Sequence, residues 1–441
     1  MVRRTPADCW VAGFLGTGKN DQVAQRSILY IDSAYTLRIV RSNRHESFFH
    51  ARHASGYFDR VYSVHPLADL VDGPSHRIDL SRLSPRHLVI EGKVELLPWP
   101  RALKPLNFII SQLKLYRFLS NVVRRRGIVM IMAADPYYSA LLGLALARRH
   151  KRPFGIRIGA NADENYRSSG ALAMPRLFPT YAMQRMVQQF ILKRADLVTG
   201  INRNNLEFGI ANGARGVTRV VPISSNVADV HRIPPDERGD PLALLKSLGL
   251  PTDAPMLLYL GRLLALKHPD DAIRAMAFNI RRNPRVVGLV VGAGPVEPSL
   301  RDLARELGVS GSIHFLGELT QEALGLLIPR CIMLSPSPGQ MAVLEGALGG
   351  APIVAYDRDF QSEFIEDGVN GFKVPSRDVE AMARRAELLI NDPALARRVS
   401  AGARRTGLEQ VDPLRVKEIE WEAFNSVMPE PLRRTIGVPE A

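Results

Sequence analysis

Cysteine is nearly missing from this 441-residue sequence: Cys9 and Cys331 lie far apart and form no C-x-x-C pair. That excludes a disulfide framework and a thiolate zinc site, and a reducing, cytoplasmic setting is expected. A long uninterrupted apolar run is missing too. The longest weakly charged stretch, 127–147 (GIVMIMAADPYYSALLGLALA), approaches the length of a membrane span. Asp135-Pro136 cuts it, which predicts a buried strand, a turn and a helix from near Tyr137. A signal-peptide pattern is not expected, because Arg3 and Arg4 are followed by Asp8 and polar residues rather than an apolar core. There is no internal repeat and no low-complexity tract.

A phosphate loop of the nucleotide triphosphatase type is also incomplete. AGFLGTGKN (12–20) puts Gly13, Gly18 and Lys19 at the right spacing, but Asn20 stands where a Ser or Thr hydroxyl would hold magnesium. The stretch precedes the first convincing strand, SILYI (27–31), rather than following one. It reads as a lead-in at the edge of the first domain, 1–26.

What is present is length for two or three domains, 46% hydrophobic residues to fill their cores, and a net charge of +14. The charge is uneven. Residues 1–230 hold 33 basic and 16 acidic side chains, a surplus of +17, whereas the remainder holds 25 against 28, or −3. A basic half attracts nucleic acid, anionic lipid headgroups or acidic glycans. Nucleic acid is disfavoured, because the basic half lacks the aromatic-interleaved strands or recognition helix that base reading requires.

The second half alternates short apolar runs with helical patterns, the rhythm of βαβ units in a parallel sheet. MLLYLG (256–261), VVGLVVGAG (286–294), SIHFLG (312–317), CIMLSPS (331–337) and PIVAYD (352–357) read as strands, with helices such as 269–282 between them. The first half repeats the rhythm through SILYIDS, RVYSVH, HLVIEG, GIVMIM, FGIRIG, LVTGI and RVVPIS, with helices near 104–124, 137–150, 174–195 and 203–212. The fold class is α/β: two Rossmann-like, doubly wound parallel-sheet domains, 27–230 and 255–412, facing a central cleft. The four-proline segment around 231–254 reads as the linker, and a helix over 413–441 follows Asp412-Pro413.

Chemistry gathers at the strand ends of the second half. In YLGRLLALKHPDDAI, Arg262 and Lys267 follow Gly261 on one strand-to-helix turn, where two cations can converge on a diphosphate. In VVGAGP, Gly292 and Gly294 let backbone approach a ligand ahead of a helix N-terminus. Gly317 and Glu318 end another strand, where backbone groups can meet a base. Glu345 lies about two turns into the otherwise apolar MAVLEGALGG, where a carboxylate needs a partner and can accept hydrogen bonds from two ribose hydroxyls.

From about 255 to 400 the order GRL-x3-K, V-G-x-G-P, F-L-G, a Ser-Pro turn, L-E-x-A, G-G-A-P-I-V-A and E-F-I-E-D-G-V-N-G-F-K-V-P resembles the C-terminal domain of the retaining nucleotide-sugar glycosyltransferases of family 4, which have the GT-B fold. ADPYYSALLGLALA, KRADLVTGI and RVVPISSNV carry a looser resemblance in the first half. The resemblance implies transfer of a sugar from a nucleotide diphosphate sugar to a glycan or lipid-linked acceptor, with retention and without an obligatory metal or other cofactor. It makes Arg262 and Lys267 the diphosphate pair, Glu345 the second glutamate of the E-x7-E motif, and Gly317 part of the loop beside the base. Ser337 stands where that motif has its first glutamate, and Ser337, Gly339 and Gln340 are the expected sugar contacts in its place. Gly159 and Ala160 occupy the position where many relatives carry a histidine, and Asp163 and Glu164 are expected to supply acceptor-side polar contacts.

The stretch 104–127 combines an apolar helical pattern with Lys104, Lys114, Arg117 and Arg124–Arg126. It is either a buried sheet-covering helix with a basic end or an interfacial helix meeting anionic lipid at the inner face of a membrane. Rival readings are a catalytically silent nucleotide-sugar-binding protein, suggested by Ser337, a nucleotide-sugar 2-epimerase, and a nucleic-acid-binding protein.

Overall fold

A computed structural model of the chain describes residues 26–34, 36–42, 49, 51–68, 78–92, 103–223 and 229–435. The AGFLGTGKN stretch and Cys9 lie outside these. The chain divides into two compact units, a first that runs to Asn226 and resumes at Pro413, and a second, Val227–Asp412.

The described residues of the first unit form an eight-stranded sheet of β1 Ser27–Ile31, β2 Arg60–His65, β3 Asp79–Ser84, β4 His87–Glu91, β5 Ile128–Ala133, β6 Phe154–Ile158, β7 Leu197–Gly200 and β8 Val217–Val220, in the order β3-β4-β2-β1-β5-β6-β7-β8. Its pairings are parallel except β3 with β4. The expected all-parallel sheet is thus corrected by an antiparallel edge hairpin. β3 (DLSRLS) is half exposed throughout and has no apolar run to announce it.

Among the described residues before the second unit the helices are α1 Leu37–Ser42, α2 Lys104–Arg125, α3 Tyr138–His150, α4 Ala162–Ser169, α5 Tyr181–Leu192 and α6 Arg203–Ala211. The helix expected over 174–195 starts later, because Pro175 and Pro179 interrupt it and Thr180 caps α5 by accepting from the Met183 N–H at 3.2 Å. The strand–turn–helix reading of 127–147 corresponds to β5 and α3, and Ile128–Ala133 is buried at every residue, as a central parallel strand requires. Helices α2, α3, α5 and α6 cover one sheet face through Leu119, Leu146, Ile191 and Phe208.

The other face is closed by α15 Pro413–Asn425, the chain's return to the first unit. Its Trp421 is buried against Tyr57, with ring centroids 6.0 Å apart, and donates its indole N–H to the Ala54 carbonyl at 3.2 Å. Buried Glu420 accepts from Ser55 at 2.8 Å and pairs with Arg157 at 3.4 Å. The helix stops at Asn425 rather than running through 441, and Arg434 beyond it donates to Asp59 at 2.8 Å.

The described second unit is a six-stranded, wholly parallel sheet of β9 Met256–Leu260, β10 Val287–Val291, β11 Ile313–Gly317, β12 Cys331–Ser335, β13 Ile353–Tyr356 and β14 Phe372–Val374, in the order β11-β10-β9-β12-β13-β14. Its helices are α7 Pro241–Ser247, α8 Pro269–Arg282, α9 Glu297–Glu306, α10 Gln321–Leu327, α11 Met341–Gly349, α12 Asp359–Phe364, α13 Val379–Asn391 and α14 Pro393–Gln410. α8 shows why the alternation was readable. Pro269 opens it, Asp270 and Asp271 fill its first turn, Arg281 and Arg282 its last, and Ile273, Met276 and Ile280 are buried. The described part of the expected linker is not a loop: α7 buries Leu245 in the second core, so this segment belongs to the second unit.

Trp421→Ala is expected to destabilise the first unit by about 3–5 kcal/mol through cavity formation. The measurement is the urea midpoint, and a wild-type midpoint would show that α15 is not integral to that core.

Candidate functional site

In the second sheet the chain leaves the middle in both directions, β9 to β10 and β11 on one side, β12 to β13 and β14 on the other. A parallel sheet leaves a crevice at the carboxyl ends of the strands where that order reverses. Here the crevice lies between the turns after β9 and β12. Gly261, Arg262 and Lys267 come from the first turn, and Ser337, Gly339 and Gln340 from the second.

The Lys267 ammonium donates to the carbonyl of Pro338, which ties the two turns together across the reversal. Gly339, at φ +105°, leaves that ammonium its room, since a Cβ there would lie 3.2 Å from Nζ. Burial, then the nearby Arg262, lowers the Lys267 pKa to about 8. Arg262 itself is exposed, and its carbonyl accepts from the Tyr259 hydroxyl at 3.2 Å. Arg358, just past β13, adds its field to that of Lys267, and beside it Arg377 donates to His268 at 2.7 Å and to Asp271 at 2.8 Å. The turn is therefore more cationic than the two residues the sequence singled out. Arg358 was missed because it lies ninety-odd residues from Lys267 in a strand end with no glycine to mark it.

Gly292 and Gly294 are also required by packing. A Cβ on Gly292 would lie 2.0 Å from the Gly261 carbonyl oxygen, and one on Gly294 would lie 2.2 Å from that of Leu263. They allow the turns after β9 and β10 to pack backbone on backbone, with Leu263 N–H donating to Ala293 at 2.9 Å. Gly317, at φ +66° with open space around its Cβ position, accepts from Gly292 N–H at 2.7 Å and leads to exposed Glu318.

The loop 336–340 is polar but poorly satisfied. Gln340 is 3% exposed, and neither of its amide atoms has a partner among the described residues. Fully buried Gln361 donates to the Ser337 carbonyl at 2.5 Å and leaves its own oxygen unpaired. Orphaned buried amides of this kind cost about 1–3 kcal/mol each and mark a place where a polar ligand is rewarded.

Glu345 lies one turn into α11, not two. Its partner is Gln321, whose amide donates to it at 3.4 Å while the Gln321 oxygen meets Nε2 of buried His231 at 2.7 Å. Burial holds His231 below its usual pKa, so neutral Nε2–H donates to Gln321, and Gln321 presents its N–H to the carboxylate. Arg238 and Arg404 fix the other end of α11: both donate to the carbonyls of Leu348 and His231. Among the described residues no cation pairs with Glu345, and burial raises its pKa to about 7.

In the first unit the order reverses between β1 and β5. There Ser33 donates to Asp135 at 3.2 Å, Ser139 donates to Ser33 at 3.1 Å, and Arg52 pairs with Asp32 at 2.6 Å. Burial, reinforced by Asp32, raises Asp135 to about 6. This cluster of hydroxyls and carboxyls was not among the expected site residues. Of those that were, Gly159 is exposed at the end of β6 with nothing near its Cβ position. Asp163 accepts from Gln188 at 3.0 Å and Asn212 at 2.9 Å, and Glu164 accepts from Asn204 at 3.1 Å. Both carboxylates thus tie α4 to α5 and α6.

Among the described residues no group of three or more His, Cys, Asp or Glu is placed to hold a metal ion, and no helix is long and apolar enough to cross a membrane. Residues 243–406 match the family model for glycosyl transferases group 1. The D-inositol 3-phosphate glycosyltransferase of Streptomyces bingchenggensis is 32% identical over 169 residues, 35% of this chain and 37% of that protein. The lipopolysaccharide core biosynthesis glycosyltransferase LpsE of Rhizobium meliloti is 29% identical over 193 residues, 43% of this chain and 54% of that one. These alignments span about a third to a half of the relatives. Over 91% of this chain and 100% of the other, the fold matches HepE of Anabaena, solved in complex with UDP, at a TM-score of 0.69 and 17% identity. The fold is GT-B.

Two outcomes follow from this geometry. Gly292→Ala, strained at φ +125° and colliding with Gly261, is expected to lower the melting temperature and displace the Arg262 turn, whereas Gly317→Ala costs only about 1 kcal/mol. Equal melting temperatures for the two would contradict the packing role. Glu345 has a folded-state pKa near 7 against 4.5 unfolded, so its ionisation opposes folding: the penalty is absent below the unfolded value and grows as pH rises through about 7. Glu345→Gln should therefore stabilise the ligand-free protein by about 1–3 kcal/mol near pH 8 and by nothing near pH 4, measured as denaturation midpoints.

Proposed function

We propose that the chain is a retaining hexosyltransferase of the family 4 type, moving a sugar from a nucleotide diphosphate sugar to a hydroxyl of a glycan or lipid-linked acceptor without an obligatory metal. The observation that carries this is the β9/β12 crevice, where a cationic turn and an unsatisfied polar loop stand beside a helix whose buried carboxylate has an amide but no cation for a partner. Arg262, Lys267 and Arg358 neutralise the departing diphosphate as the bond from the sugar C1 to the phosphate oxygen breaks. The acceptor oxygen bonds to C1 on the same face, and its proton passes to a donor phosphate oxygen.

Glu345, oriented by Gln321, accepts from both ribose hydroxyls. The backbone at Gly261, Gly292, Gly317 and Glu318 flanks the nucleotide, and Ser337, Gly339 and Gln340 hydrogen-bond the hexose in place of the missing first glutamate. On the acceptor side, Gly159 leaves room at the end of β6, and the Asp32, Ser33 and Asp135 cluster receives acceptor hydroxyls. The UDP held by HepE makes a uridine nucleotide the first donor base to test. Ser337 favours one second reading, a silent protein that binds the donor without turning it over.

A thermal-shift panel of UDP-, GDP- and ADP-sugars, followed by donor hydrolysis, separates these readings: binding with turnover supports the transferase, binding alone the silent protein, and no binding sinks both. Arg262→Ala and Glu345→Ala are each expected to weaken the donor at least tenfold, about 1.4 kcal/mol; unchanged binding in both would overturn the site. The pH profile of kcat/KM should be bell-shaped, rising as Glu345 ionises through about 7 and falling as Lys267 loses its proton through about 8. Glu345→Gln should abolish the acid limb and leave the alkaline one.

A further inference from the structure

The helical layer of α2, α3 and α5, with α3 packed between the other two, contains no acidic residue in any of its three helices. On α2, Leu106, Ile109 and Leu113 are 48%, 52% and 52% exposed. Their spacing, continued by exposed Arg117 and Arg124, keeps one helix face apolar in its first half and cationic in its second. On α5 a second stripe, Met183, Met186 and Phe190, is 41%, 64% and 46% exposed. Exposed Arg185 stands beside it, and the Arg194 guanidinium lies 3.9 Å from the centroid of the Phe190 ring. Six large apolar side chains half in water are costly on a soluble surface unless something covers them.

We propose that this face docks on an anionic lipid bilayer, with the α2 and α5 stripes entering the headgroup–acyl boundary and the surrounding guanidinium and ammonium groups meeting lipid phosphates. Charge complementarity selects this occupant. A second copy of the same face would set cation against cation, and duplex or single-stranded nucleic acid offers no apolar phase for leucine, isoleucine and methionine, which supply no stacking platform. The proposal is independent of the donor chemistry, because every residue in it lies in the first unit and none belongs to the crevice after β9 and β12.

The full-length chain would be sedimented with vesicles of phosphatidylcholine alone and of phosphatidylcholine mixed with phosphatidylglycerol, at low and physiological salt. The expected result is partitioning to the mixed vesicles only, weakened by salt and reduced about tenfold or more in a Leu106→Gln/Ile109→Gln/Leu113→Gln variant whose melting temperature matches wild type. Because that variant can lose stability, Met186→Trp supplies a second reading: its emission should shift to the blue on adding mixed vesicles. No partitioning to either vesicle, or no blue shift, overturns the proposal. So does tight binding of a DNA oligonucleotide at physiological salt that the triple variant retains in full while vesicles bind weakly, which would make the face a nucleic-acid surface.

Discussion

Lys267 reaching across the strand-order reversal to the Pro338 carbonyl is the contact on which the second unit's chemistry hangs. A parallel sheet sends every strand end to one edge, and reversal of order opens a gap there that side chains must bridge or line. One ammonium joins the turn that carries Arg262 to the loop that begins α11, and α11 in turn carries Glu345. The glycines follow from the same constraint. Gly292 and Gly294 bring two turns into backbone contact so that the first is rigid, and Gly339 leaves room for the ammonium.

That arrangement holds charge under strain. Lys267 is pulled down to about 8 and Glu345 pushed up to about 7, both chiefly by burial, so each is less at ease ionised than in water. Low dielectric makes such groups expensive in an empty site and effective against an opposite or hydrogen-bonding partner. The supports lie behind them: the His231–Gln321 pair orients the carboxylate, and Arg238 with Arg404 satisfies the carbonyls at the far end of its helix.

The first unit obeys the same sheet rule with different chemistry. At its reversal stand Asp32, Ser33, Asp135 and Ser139 rather than lysine and glycine, a set suited to hydroxyls rather than phosphates. One sheet face is sealed by α15, which arrives from the end of the chain to bury Trp421 and Glu420. The other is covered by four helices, of which α2, α3 and α5 hold no acidic residue, and the outward sides of α2 and α5 stay apolar and basic.

Apolar periodicity, proline and glycine placement, and charge at helix ends were local signals, and they determined the strands of the second sheet, helix α8, the α/β class and the pairing of Arg262 with Lys267 on one turn. The polar edge strand β3 escaped because half-exposed residues leave no apolar period, and α7 was taken for linker because the prolines in and around it are louder than its single buried Leu245. Arg358, Gln321, His231 and Asp135 could be found only in three dimensions. Their roles come from what lies opposite them, and crossover connections bring together residues far apart in the chain. Sequence alone determined which elements form and which residue types sit at their ends; tertiary structure decided which ends meet, because strand order is set by packing of whole sheets and not by any short stretch of residues.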